Sequence, residues 1–348
     1  MTLNYYKEAS EVPLNNTHKT LYLITEDVDF RQLPNPNGQR IGAIVPHIIA
    51  NNTLHKSGVL QLQFNTNEAV NFYLNDMTQA FDIVLKEHST ILLFADALTQ
   101  RFEPFIEILA TKITHQSLFG SGIGSRSFIP MPTVFKDDNI YTEYALLAEI
   151  NTTIKVGVQH GWEPLFGPLV VTKTEGTIVK EINHENAFEL YAHTLKELAN
   201  VTITKDNFFD IAKAYPLGIL SYADNEFVVR DPLGPTPENG LLLVNSVPEN
   251  ETVYIMQGEA QNLINSASEN ALQTFKESQN STNLLFDCIS RVLYMEDDFE
   301  HELEAIRIAS NNTPFMGITS IGEITNVGYD SIKIFNKTNL IGVIENES

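Results

Sequence analysis

A run of small residues at 120–127, GSGIGSRS, has the chemistry needed to hold an anion. Glycines let backbone N–H groups approach a ligand closely, serines add hydroxyl donors, and an arginine offers a bidentate guanidinium. The residues expected to bind are Ser121, Gly122, Gly124, Ser125 and Arg126. The run predicts a cradle for a ligand carboxylate, although a tight turn that needs small residues would have the same composition. It is not a Walker loop, because no Gly-Lys-Ser/Thr follows.

A cysteine and an arginine follow an apolar run near the C-terminus, at Cys288 and Arg291. A cysteine becomes a nucleophile when a histidine lies beside it, but the sequence does not supply that partner, so a buried, inert thiol is the favoured interpretation. Arg291 could pair with an acidic side chain such as Glu323 or meet a ligand carboxylate. Pairing within the protein is favoured, because arginines are rarely left unpaired in an interior.

Gly322 and Glu323 follow a predicted strand, as Gly124 and Ser125 do earlier in the chain. If these two turns meet, Glu323 could hold a ligand ammonium while Arg126 or Arg291 holds its carboxylate. This arrangement would suit a zwitterion, and it is a hypothesis from the repeat alone.

The single tryptophan, Trp162, lies in the segment GWEPLFG at 161–167. Its indole could face a ligand, but a lone tryptophan more often anchors a core or a domain junction. The histidines show no HxH or HxxxH spacing, so we expect no metal site and no cofactor.

The elements that must position these residues can be read from apolar patterns. The continuous apolar run at 91–95 predicts a strand buried on both faces, and residues 284–289, LLFDCI, predict a second strand. Apolar residues at helical spacing predict a helix over 66–85. The Pro/Asn/Gly segment at 32–39 predicts a loop.

One pattern of strand, helix, strand and glycine-containing turn occurs twice, at 92–125 and 284–324. A shorter third echo, at 41–49, resembles 316–324. Because strand–helix–strand units are common, the repeat could be coincidental, but the matched intervals favour duplication. The predicted fold class is α/β, with two related lobes of mixed β-sheets flanked by helices and an internal duplication, and we expect a cleft between the lobes.

The composition argues against some classes of partner. The chain of 348 residues carries 44 acidic and 22 basic side chains, a formal net charge of -22. Such a surface repels nucleic acid and anionic lipids, so neither is expected as a partner. One cysteine, no signal peptide and no apolar stretch long enough to span a bilayer predict a cytoplasmic protein without membrane insertion.

Three stretches together resemble the FIST sensory proteins. Residues 161–195 contain GWEP, a Thr-x-x-x-Gly hairpin and an Ala-x-Glu-Leu-Tyr helix. Residues 284–295 contain Phe-x-Cys-x-x-Arg, and residues 315–344 contain Gly-Glu-Ile and Asn-x-Thr. The resemblance implies a FIST N-terminal-like domain over 1–200 and a C-terminal-like domain over 201–348. Family members usually have a helix after the first strand, whereas 29–40 is too short and too rich in Pro and Asn for one.

The resemblance implies a signal-sensing protein that binds a small ligand, with amino acids as the suggested class, and that has a signalling protein as a partner. The sequence favours binding over catalysis. Two alternatives stay open: an enzyme acting on a small polar metabolite through Cys288, His160 or Glu323, and an interaction scaffold.

Overall fold

The computed structural model describes residues 1–64, 70–221, 226–275, 281–329 and 331–345. Residues 1–150 contain strands β1 to β12 and helix α1: β1 Thr2–Tyr6, β2 Lys19–Thr25, β3 Ile41–Val45, β4 Ile48–Ala50, β5 Thr53–His55, β6 Val59–Phe64, β7 Val70–Asp76, β8 Thr90–Asp96, α1 Phe102–Lys112, β9 Ser117–Ile123, β10 Val134–Lys136, β11 Asn139–Tyr141 and β12 Tyr144–Ile150.

The rest of the chain has strands β13 to β26 and helices α2 to α6: β13 Ile154–Gln159, β14 Glu163–Glu175, β15 Ile178–Ile182, β16 Glu185–Asn186, α2 Ala187–Leu198, α3 Phe208–Ala212, β17 Leu217–Ser221, β18 Glu226–Arg230, β19 Pro232–Pro235, β20 Leu241–Leu243, β21 Thr252–Gln257, α4 Ala260–Thr274, β22 Ser281–Cys288, α5 Ile289–Met295, α6 Phe299–Ala309, β23 Met316–Ser320, β24 Glu323–Thr325, β25 Lys333–Phe335 and β26 Asn339–Glu345.

Three six-stranded sheets share one topology. Their orders are β1-β6-β2-β3-β10-β11, β7-β12-β8-β9-β24-β25 and β13-β26-β22-β23-β4-β5. In each sheet one central pair is parallel, and the other described pairs are antiparallel. The sheets are therefore mixed, and the helices that flank them confirm the α/β class.

The repeat seen twice in the sequence occurs three times in the structure. Each copy has six strands and gives its short fourth and fifth strands to a sheet formed by another copy: β4-β5 joins the third sheet, β24-β25 the second and β10-β11 the first. The third echo, at 41–49, belongs to the first repeat. The connection between the parallel strands β2 and β3 of this repeat has only short 3-10 turns, at Phe30–Gln32 and Pro36–Gly38, as its Pro/Asn composition predicts.

The main apolar core lies where the three sheets face one another. Each sheet contributes strand residues to it, for example Leu23, Leu92 and Leu284, all fully buried. The outer faces are covered separately: α1 packs on the second sheet, and α4 and α6 pack on the third. An insertion between β13 and β22 forms a further sheet, β14 to β21, with its own core against α2 and α3.

The helix predicted over 66–85 is wrong. Residues 70–76 form β7, which pairs antiparallel with β12 along its whole length. Val70, Phe72 and Leu74 contact the main core, while Tyr73 packs on the opposite side. A spacing of four residues fits both the helical and the strand period, so the pair Val70 and Leu74 could not distinguish them. Residues 66–69 lie outside the described residues.

None of the helices in the described part of the chain combines the length and apolarity that crossing a membrane requires.

Candidate functional site

A cavity of about 450 Å³ lies where the second repeat, the insertion and the third repeat meet. Its walls are mainly aliphatic and aromatic, and a few polar side chains lie among them. The lining residues are Ala97, Leu98, Phe128, Phe209, Asp231, Leu233, Val244, Cys288, Ile289, Ser290, Leu293, Ile321, Gly322 and Asn336.

The carboxyl ends of core strands form one side of this cavity. Cys288 is the last residue of β22, Ile321 and Gly322 follow β23, and Ala97 follows β8. Loops beyond the carboxyl ends of parallel strands are common positions for ligand sites in α/β proteins. Two of the sequence-predicted site residues, Cys288 and Gly322, therefore line the cavity.

The two glycine-containing turns lie directly beside each other. The Gly122 amide donates to the Gly322 carbonyl at 2.7 Å, and the Ile321 amide donates to the Gly122 carbonyl at 2.7 Å. A Cβ on Gly122 would lie 2.2 Å from the Ile321 carbonyl oxygen, so only glycine permits this approach. Ser121 belongs to the same contact, because its hydroxyl donates to Ser320 Oγ at 3.0 Å.

The predicted cradle is not an open loop. Residues 120–123 belong to β9, where the backbone groups of Gly122 bond to protein groups. Gly124 packs against Leu98 and Ile321, and the buried hydroxyl of Ser125 accepts from the Ile129 amide at 3.0 Å. These small residues form a close strand contact that borders the cavity.

Arg126 and Arg291 are both held by protein carboxylates. Arg126 pairs with Glu26 at 3.0 Å and donates to the Lys56 carbonyl at 2.5 Å. Arg291 is fully buried and pairs with Glu302 and Asp287. Neither arginine lines the cavity, and Arg291 does not pair with Glu323 as the sequence suggested. The structure thus does not gather Glu323 and an arginine around one space.

Trp162 is buried in the core beneath the third sheet. Its ring lies 5.6 Å from the Arg291 guanidinium and 5.1 Å from Lys337 Nζ. A ring face stabilises a nearby cation. This position matches the interpretation of the tryptophan as an anchor at a junction.

Cys288 and His160 are both in their uncharged forms. Burial raises the pKa of the Cys288 thiol, and Glu323 and Asp231 raise it further when they are ionised. Burial, together with the charge of Arg291, lowers the pKa of His160 to about 4. His160 Nδ1 accepts from the Trp162 amide at 3.0 Å. The thiol at the cavity is therefore not activated as a thiolate.

Glu323 is a fully buried carboxyl group beside the cavity turn. Its Oε2 accepts from the Thr338 hydroxyl at 2.6 Å and from the Thr338 amide at 3.3 Å. Burial raises the pKa of Glu323 to about 8, although hydrogen bonds from Thr338 and Ser320 and the charge of Arg291 oppose the rise. The carboxyl group is therefore mainly protonated at neutral pH.

Glu323→Gln should remove part of the dependence of stability on pH. The pKa of Glu323 is about 8 in the folded protein and about 4.5 when solvated, so unfolding releases a proton between these values. The stability due to the protonated group is complete below the lower pKa and is lost as pH rises through the upper one. We expect the melting temperature of the variant to rise relative to the unmodified protein from about pH 5 to about pH 9. The exposed Glu300→Gln serves as control, and a temperature difference that is constant with pH for both variants would contradict the assignment.

Four polar residues in or beside the cavity lining were not predicted from the sequence: Ser290, Asp231, Asn336 and Lys337. Asp231 precedes β19, and Asn336 and Lys337 form the turn between β25 and β26. Asp231 Oδ1 lies 3.1 Å from Lys337 Nζ, which also donates to the Lys213 carbonyl at 3.0 Å. Both charged side chains are buried. Residues in turns are normally exposed, so burial of polar side chains was not expected here. Only the Asn-x-Thr match at 336–338 drew attention to this segment.

No group of acidic, histidine or cysteine side chains within the described ranges has the arrangement of a metal site.

Family models match most of the chain. A FIST N domain matches residues 32–185, and a FIST C domain matches residues 187–326. The border between the two matches falls inside the insertion, where α2 begins. No individual curated protein matches the chain. The cavity has lining residues from both matched ranges.

Proposed function

Because the chain belongs to the family of proteins that contain a FIST N and a FIST C domain, we propose that it is a signal-sensing protein that binds a small ligand in this cavity. FIST domains are recognised as sensory domains of signal transduction. A signalling protein that responds to the loaded form is part of the same proposal.

The observation that carries the proposal is a cavity lined by residues of both domains. Leu98 and Phe128 belong to the FIST N match, and Leu233 and Leu293 belong to the FIST C match. Small-molecule sites are concave and mostly apolar, with a few placed polar groups, and they favour domain junctions. A ligand that touches both domains would stabilise their contact, which is a physical basis for sensing.

Amino acids are the narrower ligand class that we propose to test first. The apolar walls favour amino acids with aliphatic or aromatic side chains over polar ones. A cavity of about 450 Å³ lies within the range that suits small molecules.

In a thermal-shift experiment with a panel of amino acids, the apolar members should raise the melting temperature of the protein. Binding to the folded protein stabilises it by about 2.7 kcal/mol when the ligand is at about one hundred times its Kd. Leu293→Trp, which adds an indole at the cavity wall, should abolish the shift.

The matched control is Leu272→Trp, because Leu272 is an exposed residue of α4 that is not part of the cavity lining. It should retain the full shift. An unchanged melting temperature for the whole panel, or an undiminished shift in Leu293→Trp, would count against the proposal.

A further inference from the structure

The mouth of the cavity is apolar. Three of its lining side chains are also exposed to solvent: Phe128 and Phe209 are each 38% exposed, and Leu233 is 40% exposed. Because these side chains both line the cavity and face solvent, they mark its opening. Exposed apolar side chains that gather at one place on a soluble protein are typical of a binding surface. The opening therefore suits the apolar part of a ligand.

The polar residues in the buried part of the lining offer a ligand little polar surface. Asp231 and Cys288 are each 2% exposed, and Asn336 is 1% exposed. Asp231 pairs with Lys337, and Asn336 Nδ2 donates to Asn245 Oδ1 at 2.8 Å. The Oδ1 atoms of Asp231 and Asn336 are fully covered by protein. A ligand that reaches these buried residues therefore contacts mainly carbon.

Aliphatic side chains form much of the remaining wall. Leu98, Val244 and Leu293 are half-buried, and Ile321 is buried. Among the polar side chains of the described lining, Ser290 alone is half-buried rather than buried. The hydrogen-bonding group that a ligand can reach most easily thus lies outside the buried part of the wall.

These features set the orientation of a bound ligand. A hydroxyl, ammonium or carboxylate group placed against the buried residues would lose its water and gain no partner, which is unfavourable. A hydrocarbon chain placed there leaves water and binds favourably, in proportion to the apolar area that is buried. The polar end of the ligand is therefore most stable at the mouth, in contact with water.

We propose that the ligand is a single-chain amphiphile, whose hydrocarbon chain fills the cavity and whose polar end stays in water at the mouth, beside Leu233. This inference rests on the proposed function and narrows it. An amino acid would bind with its side chain inside and its ammonium and carboxylate groups at the mouth. Affinity should then grow with the length of an apolar chain until the cavity of about 450 Å³ is full.

Four probes that differ only in length or in their ends test this orientation. They are 1-hexanol, 1-octanol, 1,8-octanediol, which adds a hydroxyl group at the inner end, and octyl glucoside, which enlarges the polar end. In calorimetry, 1-octanol should bind about fifteenfold more tightly than 1-hexanol, because each buried methylene lowers the Kd about fourfold. The diol should bind at least about tenfold more weakly than 1-octanol, because its inner hydroxyl group loses water without gaining a partner. Octyl glucoside, kept below its micelle concentration, should bind within about threefold of 1-octanol, because its sugar stays in water.

One pair of variants assigns this binding to the cavity. Leu293→Trp adds an indole at the cavity wall and should bind neither 1-octanol nor octyl glucoside. Leu272→Trp is the matched control, since Leu272 is exposed and is not part of the lining. It should bind both probes as the unmodified protein does.

A charge at the mouth tests where the polar end lies. Leu233→Lys places an ammonium group at an exposed position, so it should lower the Kd of octanoate about threefold and change that of 1-octanol by less than about twofold. Leu272→Lys adds the same charge outside the lining and should change neither Kd. Circular dichroism of the variants checks that they fold.

The outcomes separate this inference from the proposed function. Equal binding of 1-octanol and 1,8-octanediol, exclusion of octyl glucoside, or an equal response of octanoate to both lysine variants would overturn the orientation. Undiminished binding of 1-octanol by Leu293→Trp would overturn the assignment to this cavity. Binding of amino acids without binding of the alcohols would overturn the inference and leave the sensor proposal standing. Failure of every probe and amino acid to bind would overturn both.

Discussion

Arg291→Met is expected to lower the free energy of unfolding by about 3–5 kcal/mol, because it leaves two buried carboxyl groups without their cation. Arg291 Nε lies 3.2 Å from Asp287 Oδ1, and Arg291 also pairs with Glu302. All three side chains are fully buried. Urea denaturation of the variant and the unmodified protein measures the difference.

The guanidinium also links separate elements through backbone carbonyls. It donates to the carbonyls of His160 at 2.5 Å, Leu263 at 3.3 Å and Lys337 at 3.3 Å. These residues precede β14, lie in α4 and lie in the turn before β26. Loss of the arginine therefore leaves several buried acceptors unpaired, in addition to the two carboxyl groups.

The control is Arg307→Met, since Arg307 pairs with Glu304 on the surface of α6. An exposed ion pair contributes about 0–1 kcal/mol, so this variant should unfold close to the unmodified protein. Adding Glu302→Gln to Arg291→Met should recover part of the lost stability, because one uncompensated charge is removed. Equal effects of Arg291→Met and Arg307→Met would contradict the assigned role of the buried cluster.

Local patterns in the sequence were sufficient to predict central strands of two of the sheets. The apolar run at 91–95 lies in β8, and the strand predicted at 284–289 ends one residue beyond β22, since Ile289 begins α5. Both strands lie at the centre of their sheets. The unbroken apolar run at 91–95 is the signal of burial on both faces. The motif resemblance is likewise confirmed by the FIST N and FIST C matches.

The exchange of hairpins between repeats could not be read from the same patterns. The pairing of β4 with β23 joins residues near 48 to residues near 318, and nothing in the three-residue strand β4 or the five-residue strand β23 identifies its neighbour. Strand partners are set by the global packing of the sheets rather than by local propensity. The sequence therefore indicated that copies exist, but not how they interlock.

The candidate site was predictable only in part, for a related reason. Cys288 and Gly322 follow core strands, and both line the cavity. Asp231 and Asn336 reach it from the insertion and from a turn, where polar residues ordinarily face solvent. Their burial depends on how the insertion packs against the third repeat, and no periodic pattern of residues in the sequence predicts that contact.

In each of the three repeats, one glycine lies where the third strand runs beside the parallel second strand. Gly42, Gly120 and Gly317 occupy the same place in the third strand of each repeat, opposite a residue of the parallel second strand. A Cβ on Gly317 would lie 1.6 Å from the Leu285 carbonyl oxygen, and one on Gly42 would lie 2.0 Å from the Tyr22 carbonyl oxygen. Both contacts are with backbone, which cannot rotate away.

The same atom on Gly120 would meet a side-chain carbon, Leu93 Cβ, at 3.0 Å and the Leu93 carbonyl oxygen at 3.2 Å. We therefore expect Gly317→Ala and Gly42→Ala each to lower the free energy of unfolding by about 3 kcal/mol or more, and Gly120→Ala by about 1 kcal/mol. Gly234→Ala is the control, because no atom lies within 4 Å of its added Cβ, and its effect should stay within about 0.5 kcal/mol. Urea denaturation of the four variants measures the order. The three contacts differ in distance and in the kind of atom met. An equal loss of unfolding free energy in Gly42→Ala, Gly120→Ala and Gly317→Ala would therefore show that the close approach of the strands is not the reason for glycine at these positions.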